Sequence, residues 1–169
     1  MADQPDAIAL LKEDHRKVED LFEKFETATA DGTKRKLALQ ICMELTVHTV
    51  IEEEIFYPAC KGAVEEDLID EAYVEHDGAK VLIAEIEAGG PDEHYYDAKV
   101  KVLSEMIEHH VGEEEKRSEG IFAQARKAGL DMDALGASMA ARKKDLIAAY
   151  KANGLPTPET STFEATTLA

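Results

Sequence analysis

Apolar residues return along most of this chain at alternating steps of three and four, the spacing that lays one buried stripe down a helix. A first run, about Asp6 to Thr29, puts Ile8, Leu11, His15, Val18, Phe22 and Phe25 on one face. Asp31-Gly32-Thr33 supplies a turn and a helix start. A second helix then reaches about Cys60, with Ile41, Leu45, His48, Glu52, Ile55 and Ala59 along its stripe. The third, about Glu65 to Ala88, carries Ile69, Ala72, His76, Ala79, Ile83 and Ile86 before Gly89-Gly90-Pro91 stops it. A fourth starts near Asp92, carries Tyr96, Val100, Leu103, Ile107, His110 and Glu114, and is expected to continue past Gly112 toward Ala128. A fifth, about Asp131 to Ala152, has Met132, Leu135, Met139, Leu146 and Tyr150 on one side.

Short connections between long helices make antiparallel neighbours. The pattern therefore predicts an all-α chain: an up-down four-helix bundle over residues 1–128 and an additional C-terminal helix over 129–153, packed on the bundle or at an interface. Residues 154–169, rich in Pro, Thr and Ser, read as a flexible tail.

Polar residues interrupt the apolar stripes. His15 and His76 sit singly among core positions, while His48 with Glu52 and His110 with Glu114 are spaced four apart, so each imidazole and carboxylate share a helix face. Burying an ionised carboxylate without a partner is costly, and a metal ion is the simplest compensating charge. The heights agree. His15 lies about 15 residues before the first turn and His48 about 15 after it, arms of about 22 Å each. The arms from His48 and Glu52 and from His76 to the second turn are both about 10 residues. His110 fits less well, lying about 9 Å too far from its turn, which predicts that the first helical turns around His94 to Asp97 overhang the bundle. Four imidazoles and two carboxylates at one level suit a pair of first-row metal ions.

Composition narrows the function. A net charge of −17 opposes approach to nucleic acid or an anionic membrane and attracts cations. Cys42 and Cys60 match neither a disulfide framework nor a thiolate metal site and read as reduced thiols. With no signal-like N-terminus and no membrane-length apolar run, the expected location is cytoplasmic.

Through LLKEDHRKVEDLF, HTVIEEEIFYP, EHDGAKVLI and HHVGEEE, over about Ala7 to Ala128, the chain resembles the hemerythrin-like HHE cation-binding proteins. That resemblance implies a non-haem di-iron centre held by His15, His48, Glu52, His76, His110 and Glu114, with both Glu bridging the irons beside a solvent-derived oxo or hydroxo group. Sites of this donor set also accept Mn or Zn. Oxygen-carrying hemerythrins have a further His where this chain has Ala72, and an Asp five residues after the last His where this chain has Glu114 at four. Of about twelve positions on two six-coordinate irons, the six residues and a solvent bridge would fill about ten, leaving about two open.

Three functions fit such a centre: a carrier, store or sensor of O2 or a related small oxidant; an enzyme that removes peroxide or reduces nitric oxide; and a metal-dependent regulatory protein that engages an unidentified protein partner. Tyr73, one turn before His76, is a candidate to fill an open position. His109 would give a five-residue spacing to Glu114, but the apolar stripe favours His110, from which His109 is turned about 100°. Glu53, Glu54, Glu113 and Glu115 read as a solvated face or as partners of the imidazoles. His94 and the basic patch Arg142, Lys143 and Lys144 read as surface, and Met132 and Met139 as packing.

Overall fold

The computed structural model describes residues 4–163, all helical or irregular, with no strand among them. Asp6 caps α1 (Ala7–Thr27), its side chain accepting from the Ala9 amide at 2.8 Å. After a three-residue turn, α2 (Asp31–Ile51) runs antiparallel to it and passes through a π-helical turn (Glu52–Phe56) into the short α3 (Tyr57–Cys60). Next come α4 (Glu66–Ala88), α5 (Tyr96–Glu115), α6 (Ile121–Lys127) and α7 (Met132–Asn153). The long helices α1, α2, α4 and α5 form the bundle, and Arg35 on α2 binds the end of α4 by donating to the carbonyls of Glu87 and Gly89. Cations at helix C-termini satisfy carbonyls that have no partner within the helix.

Two boundaries differ from the periodic reading. The expected long fourth helix ends at Glu115 and resumes at Ile121. Between them Ser118 adopts φ 134°, and a Cβ on Gly120 would lie 2.6 to 2.8 Å from the carbonyls of Glu113, Glu114 and Lys116, so the chain folds back too closely for any side chain there. The predicted overhang around His94 is also not helical. α5 starts at Tyr96, a fully buried side chain, while His94 and Tyr95 are exposed in the turn before it. That leaves 12 steps from His76 to Ala88 and 14 from Tyr96 to His110, a difference of about 3 Å along the axis.

The apolar core is divided in two. One cluster includes Leu11, Ile51, Phe56, Ala72, Phe122 and Met139. The other includes Val18, Leu45, Ala79, Ile83, Tyr96 and Leu103. Leu11 and Val18 flank His15, Leu45 and Ile51 flank His48, and Ala72 and Ala79 flank His76, so a polar layer separates the clusters. α7 lies along α1 and α2 and buries Met132, Met139 and Leu146. Gly136 permits this approach, since a Cβ there would come within 2.5 Å of the Pro5 carbonyl.

The segment after Asn153, predicted to be loose, is fastened as far as Thr162. Leu155 packs on the second apolar cluster, and the buried Asp77 accepts from the Ser161 amide at 2.9 Å and from the Thr162 amide and hydroxyl at 2.7 Å each. The part of the predicted tail from residue 164 to 169 lies outside the described residues. Among the described residues, no helix is long and apolar enough to cross a membrane.

Candidate metal centre

α1 supplies His15, α2 supplies His48, and Glu52 lies one turn further on, where the π-helical turn begins; α4 supplies His76, and α5 supplies His110 and Glu114. All six predicted residues lie in the polar layer and are no more than 6% exposed. They divide into two groups. His15 Nε2 and His48 Nε2 are 3.2 Å apart, with Glu114 Oε2 3.2 Å from the first and Glu52 Oε1 3.1 Å from the second. His76 Nε2 and His110 Nε2 are 3.1 Å apart, with Glu52 Oε2 3.1 Å from His76 and Glu114 Oε1 3.5 Å from His110. Each carboxylate thus turns one oxygen toward each histidine pair.

This geometry fits cations better than a hydrogen-bond network. Glu52 Oε1 and Glu114 Oε2 are buried and have no hydrogen-bond partner, although an imidazole nitrogen lies near each. Donor atoms about 2.1 Å from an ion and at right angles to one another stand about 3.0 Å apart, close to the spacings found here. The result is two buried His/Glu clusters that share Glu52, consistent with a binuclear metal site.

The outer nitrogens support the same conclusion. Nδ1 of His15 faces Glu115 at 2.7 Å, that of His48 Asp14 at 3.3 Å, that of His76 Glu53 at 3.0 Å and that of His110 Glu75 at 2.6 Å. An ionised carboxylate only accepts, so Nδ1 donates, and a neutral ring then directs its Nε2 lone pair inward. A basic group steadies each carboxylate: Arg16 beside Glu115, Lys143 beside Asp14, Lys80 beside Glu53 and His109 beside Glu75. Glu53 and Glu115, which the sequence reads as a solvated face or as partners of the imidazoles, are partners here. Asp14 and Glu75 were not foreseen, because no periodicity in one helix reports what stands opposite on another.

Charge follows geometry. Burial opposes the His48 cation, but the Glu52 and Asp14 carboxylates outweigh it and push its pKa up to about 10. His110 is likewise raised, burial being overcome by Glu114, Glu52 and Glu75, as is His15 beside Glu114 and Glu115. Burial would raise Glu52, yet the His48 charge and the three imidazoles around it hold it well below the usual carboxylate range. Without metal the layer stores protons where cations would sit.

Tyr57 was not foreseen. Its buried hydroxyl donates to Glu114 Oε1 at 2.7 Å and lies 3.2 Å from Glu52 Oε2, 3.3 Å from His76 Nε2 and 3.4 Å from His110 Nε2. Burial, then the Glu114 and Glu52 charges, raises its pKa well above 10, so the phenol stays protonated. On a regular helix, residue 57 would be turned about 140° from residue 52. The π-turn absorbs that rotation. It also moves the buried stripe from the expected Ile55 and Ala59 to Phe56, Tyr57 and Cys60. Pro58, which interrupts helical hydrogen bonding, was the available sign of a local irregularity. Tyr73, the residue proposed for this place, packs its ring edge-on to Tyr57 and makes no polar contact in the layer. His109 is 60% exposed and His110 buried, as the stripe required. The α7 patch is engaged rather than only solvated: Arg142 grips Glu54 at 2.7 and 3.0 Å, and Lys143 reaches Asp14. Phe122 on α6 stacks on the His15 ring with centroids 5.8 Å apart.

The hemerythrin HHE cation binding domain matches residues 6–118, two thirds of the chain and all six residues of the layer. This chain belongs to the hemerythrin HHE cation-binding family. Within the hemerythrin-like proteins it is similar to a crystal structure described as a hemerythrin HHE cation binding domain-containing protein, an Rv2633c homolog from Mycobacterium kansasii. The two share the fold, with a TM-score of 0.74 at 23% identity over 89% of this chain and 95% of that one. A DNA nickase of Nostoc sp. (strain PCC 7120 / SAG 25.82 / UTEX 2576) is 29% identical over 117 residues, which are 69% of this chain. The match spans about a third, 32%, of that relative's length.

Proposed function

We propose that this chain is a non-haem di-iron protein that binds or reacts with O2 or a related small oxidant as a carrier, store or sensor. The observation that carries the reading is the pair of buried carboxylates, each presenting one oxygen to each of two histidine pairs, with Glu52 Oε1 and Glu114 Oε2 lacking a hydrogen-bond partner. His15 and His48 would hold one ion, His76 and His110 the other, and Glu52 and Glu114 would join them. Bound iron would supply redox capacity and open coordination positions. The chain's own residues do the rest: the outer carboxylates orient the imidazoles, and the two apolar clusters exclude bulk water.

A void of about 20 Å³ touches all four histidines and is otherwise lined largely by Val18, Leu45, Thr49, Ile107 and Val111. A void needs roughly 10–15 Å³ to admit one water-sized molecule, so this space suits O2, nitric oxide or hydrogen peroxide.

Tyr57 favours a second reading, removal of peroxide or reduction of nitric oxide. Its O–H lies within hydrogen-bond reach of both carboxylates, where it would be a proton source for an oxidant bound between them. The DNA-directed activity named for the Nostoc relative is not carried over, since a net charge of −17 opposes a polyanion.

Metal analysis of the purified protein is expected to find about two irons per chain, with absorption bands that differ between anaerobically reduced and air-exposed samples. Reversible bands support carriage or sensing; irreversible oxidation with turnover of added peroxide supports the second reading. A double His48→Ala, His110→Ala variant is expected to lose the iron, and retention of both ions would refute the assignment. Tyr57→Phe should keep the metal and lower peroxide turnover by about 10²-fold, within the range for loss of one positioned proton donor. An unchanged rate would remove Tyr57 from the chemistry.

A further inference from the structure

The last described segment of the chain roofs a half-open pocket on the bundle. A chamber of about 460 Å³ lies between α2, α4 and the strap Leu155–Ser161, with Val50, Ile83 and Ala84 on its floor and Leu155 and Pro156 in its roof. Thr49, 7% exposed and next in sequence to His48, lines this chamber and also the 20 Å³ void beside the four histidines. No other described residue lines both. We infer that the strap-roofed chamber is an antechamber through which a small uncharged oxidant reaches the metal layer, with Thr49 as the partition it must pass.

The inference rests on the metal-centre reading above for its destination and on the two cavities for its route. Two side chains of α4 fasten the strap. Asp77 accepts three hydrogen bonds from Ser161 and Thr162, and Lys80 donates to the Glu159 carbonyl at 3.2 Å. Lys80 also holds Glu53, the partner of His76, so the roof and one histidine share an anchor. The strap lies beyond residues 6–118, the part matched by the family. The chamber's chemistry selects its occupant. Apolar walls favour a gas-like or neutral molecule, while Glu53, Glu87 and Glu159 in the lining outnumber Lys80, which pairs with Glu53, and with the overall negative charge oppose anions. The 20 Å³ void then sets the size limit.

Xenon is a neutral probe that needs no metal. In metal-free wild-type protein it is expected to shift the methyl resonances of Val50, Ile83 and Leu155, and absence of any shift would overturn the antechamber. A double Asp77→Ala, Lys80→Ala variant, which removes both anchors, is expected to raise hydrogen exchange at the Ser161 and Thr162 amides and to abolish the xenon shifts. Shifts that persist with the strap released would show that the roof is not needed. In iron-loaded protein, Thr49→Leu is expected to slow the absorbance change on mixing reduced protein with O2 by about tenfold, equivalent to a barrier about 1.4 kcal/mol higher. Thr49→Val, which keeps the volume, should leave that rate near wild type, and both should keep wild-type iron content. A wild-type rate in iron-loaded Thr49→Leu would overturn the gate. Failure of the wild type to bind metal would instead sink the proposed function, and the xenon arms would still decide the antechamber.

Discussion

Replacing Glu52 by Gln is expected to reduce bound metal from about two ions to fewer than one per chain, a larger effect than the loss of any one histidine of the layer. Each histidine belongs to one cluster, so losing one leaves the other cluster complete. Glu52 belongs to both, with Oε1 toward His48 and Oε2 toward His76. Gln keeps the shape but has no charge, and only one of its two terminal atoms can donate a lone pair. The metal-free protein should suffer as well, because the charge on His48 then loses its nearest counter-ion. Breaking a buried ion pair by removing one partner costs about 3–5 kcal/mol, and part of this would be recovered as His48 releases its proton. Elemental analysis together with thermal unfolding of metal-free protein checks both parts. A Glu52→Gln protein that still holds two ions would contradict the bridging role.

The second large effect is a dependence of stability on pH that metal should remove. In metal-free protein the folded-state pKa of His48 is about 10, raised from 6.5, and those of His15 and His110 are also raised. A group whose pKa is higher in the folded state stabilises fully below its unfolded value and loses that contribution as pH climbs through the folded one. The midpoint of thermal unfolding of metal-free protein should therefore fall steadily from about pH 6.5 to about pH 10. The carboxylates act oppositely. Asp14 and Glu115 are held below their usual range, Asp14 by His48 and Lys143 against the cost of burial, and Glu115 mainly by its bond from His15. Their contribution is present above about pH 4 and is lost as pH falls further. Metal-free protein should thus be most stable between about pH 4.5 and 6.5. Ions replace the protons on Nε2, so loading should release protons, tighten with rising pH and flatten the alkaline decline. A metal-free protein whose midpoint does not move between these limits would show that the histidines are not charged in the fold.

The outer ring gives α7 a place in the site although it supplies no residue to the layer. Lys143 reaches Asp14, and Asp14 orients His48, so part of one histidine's position is set from the C-terminal helix. The strap does the same for His76 through Lys80 and Glu53. Neither link could be read along the chain. In isolation Arg142, Lys143 and Lys144 are a run of surface cations, and a Thr-, Ser- and Pro-rich tail is what an unstructured segment looks like. What fastens that tail is a fully buried aspartate 84 residues away.

The four-helix arrangement and the six polar side chains on its buried stripes are legible in the residue pattern alone. Helical periodicity is a local property, and a histidine or glutamate placed on an apolar stripe remains visible whatever the stripe packs against. It also separated His110 from His109, a matter of angle around one helix. Tertiary structure decided everything that depends on a departure from that period or on a neighbour from another element. The π-turn that brings Tyr57 into the layer inserts one residue's worth of rotation, so every position after Glu52 on that helix faces where a regular reading would not put it. The break at Gly120 is a local fold-back of the backbone on Glu113 to Lys116 that interrupts the period, whereas the carboxylates behind the imidazoles and the strap over α2 and α4 arise from contacts between segments far apart in the chain, which no spacing within one segment encodes.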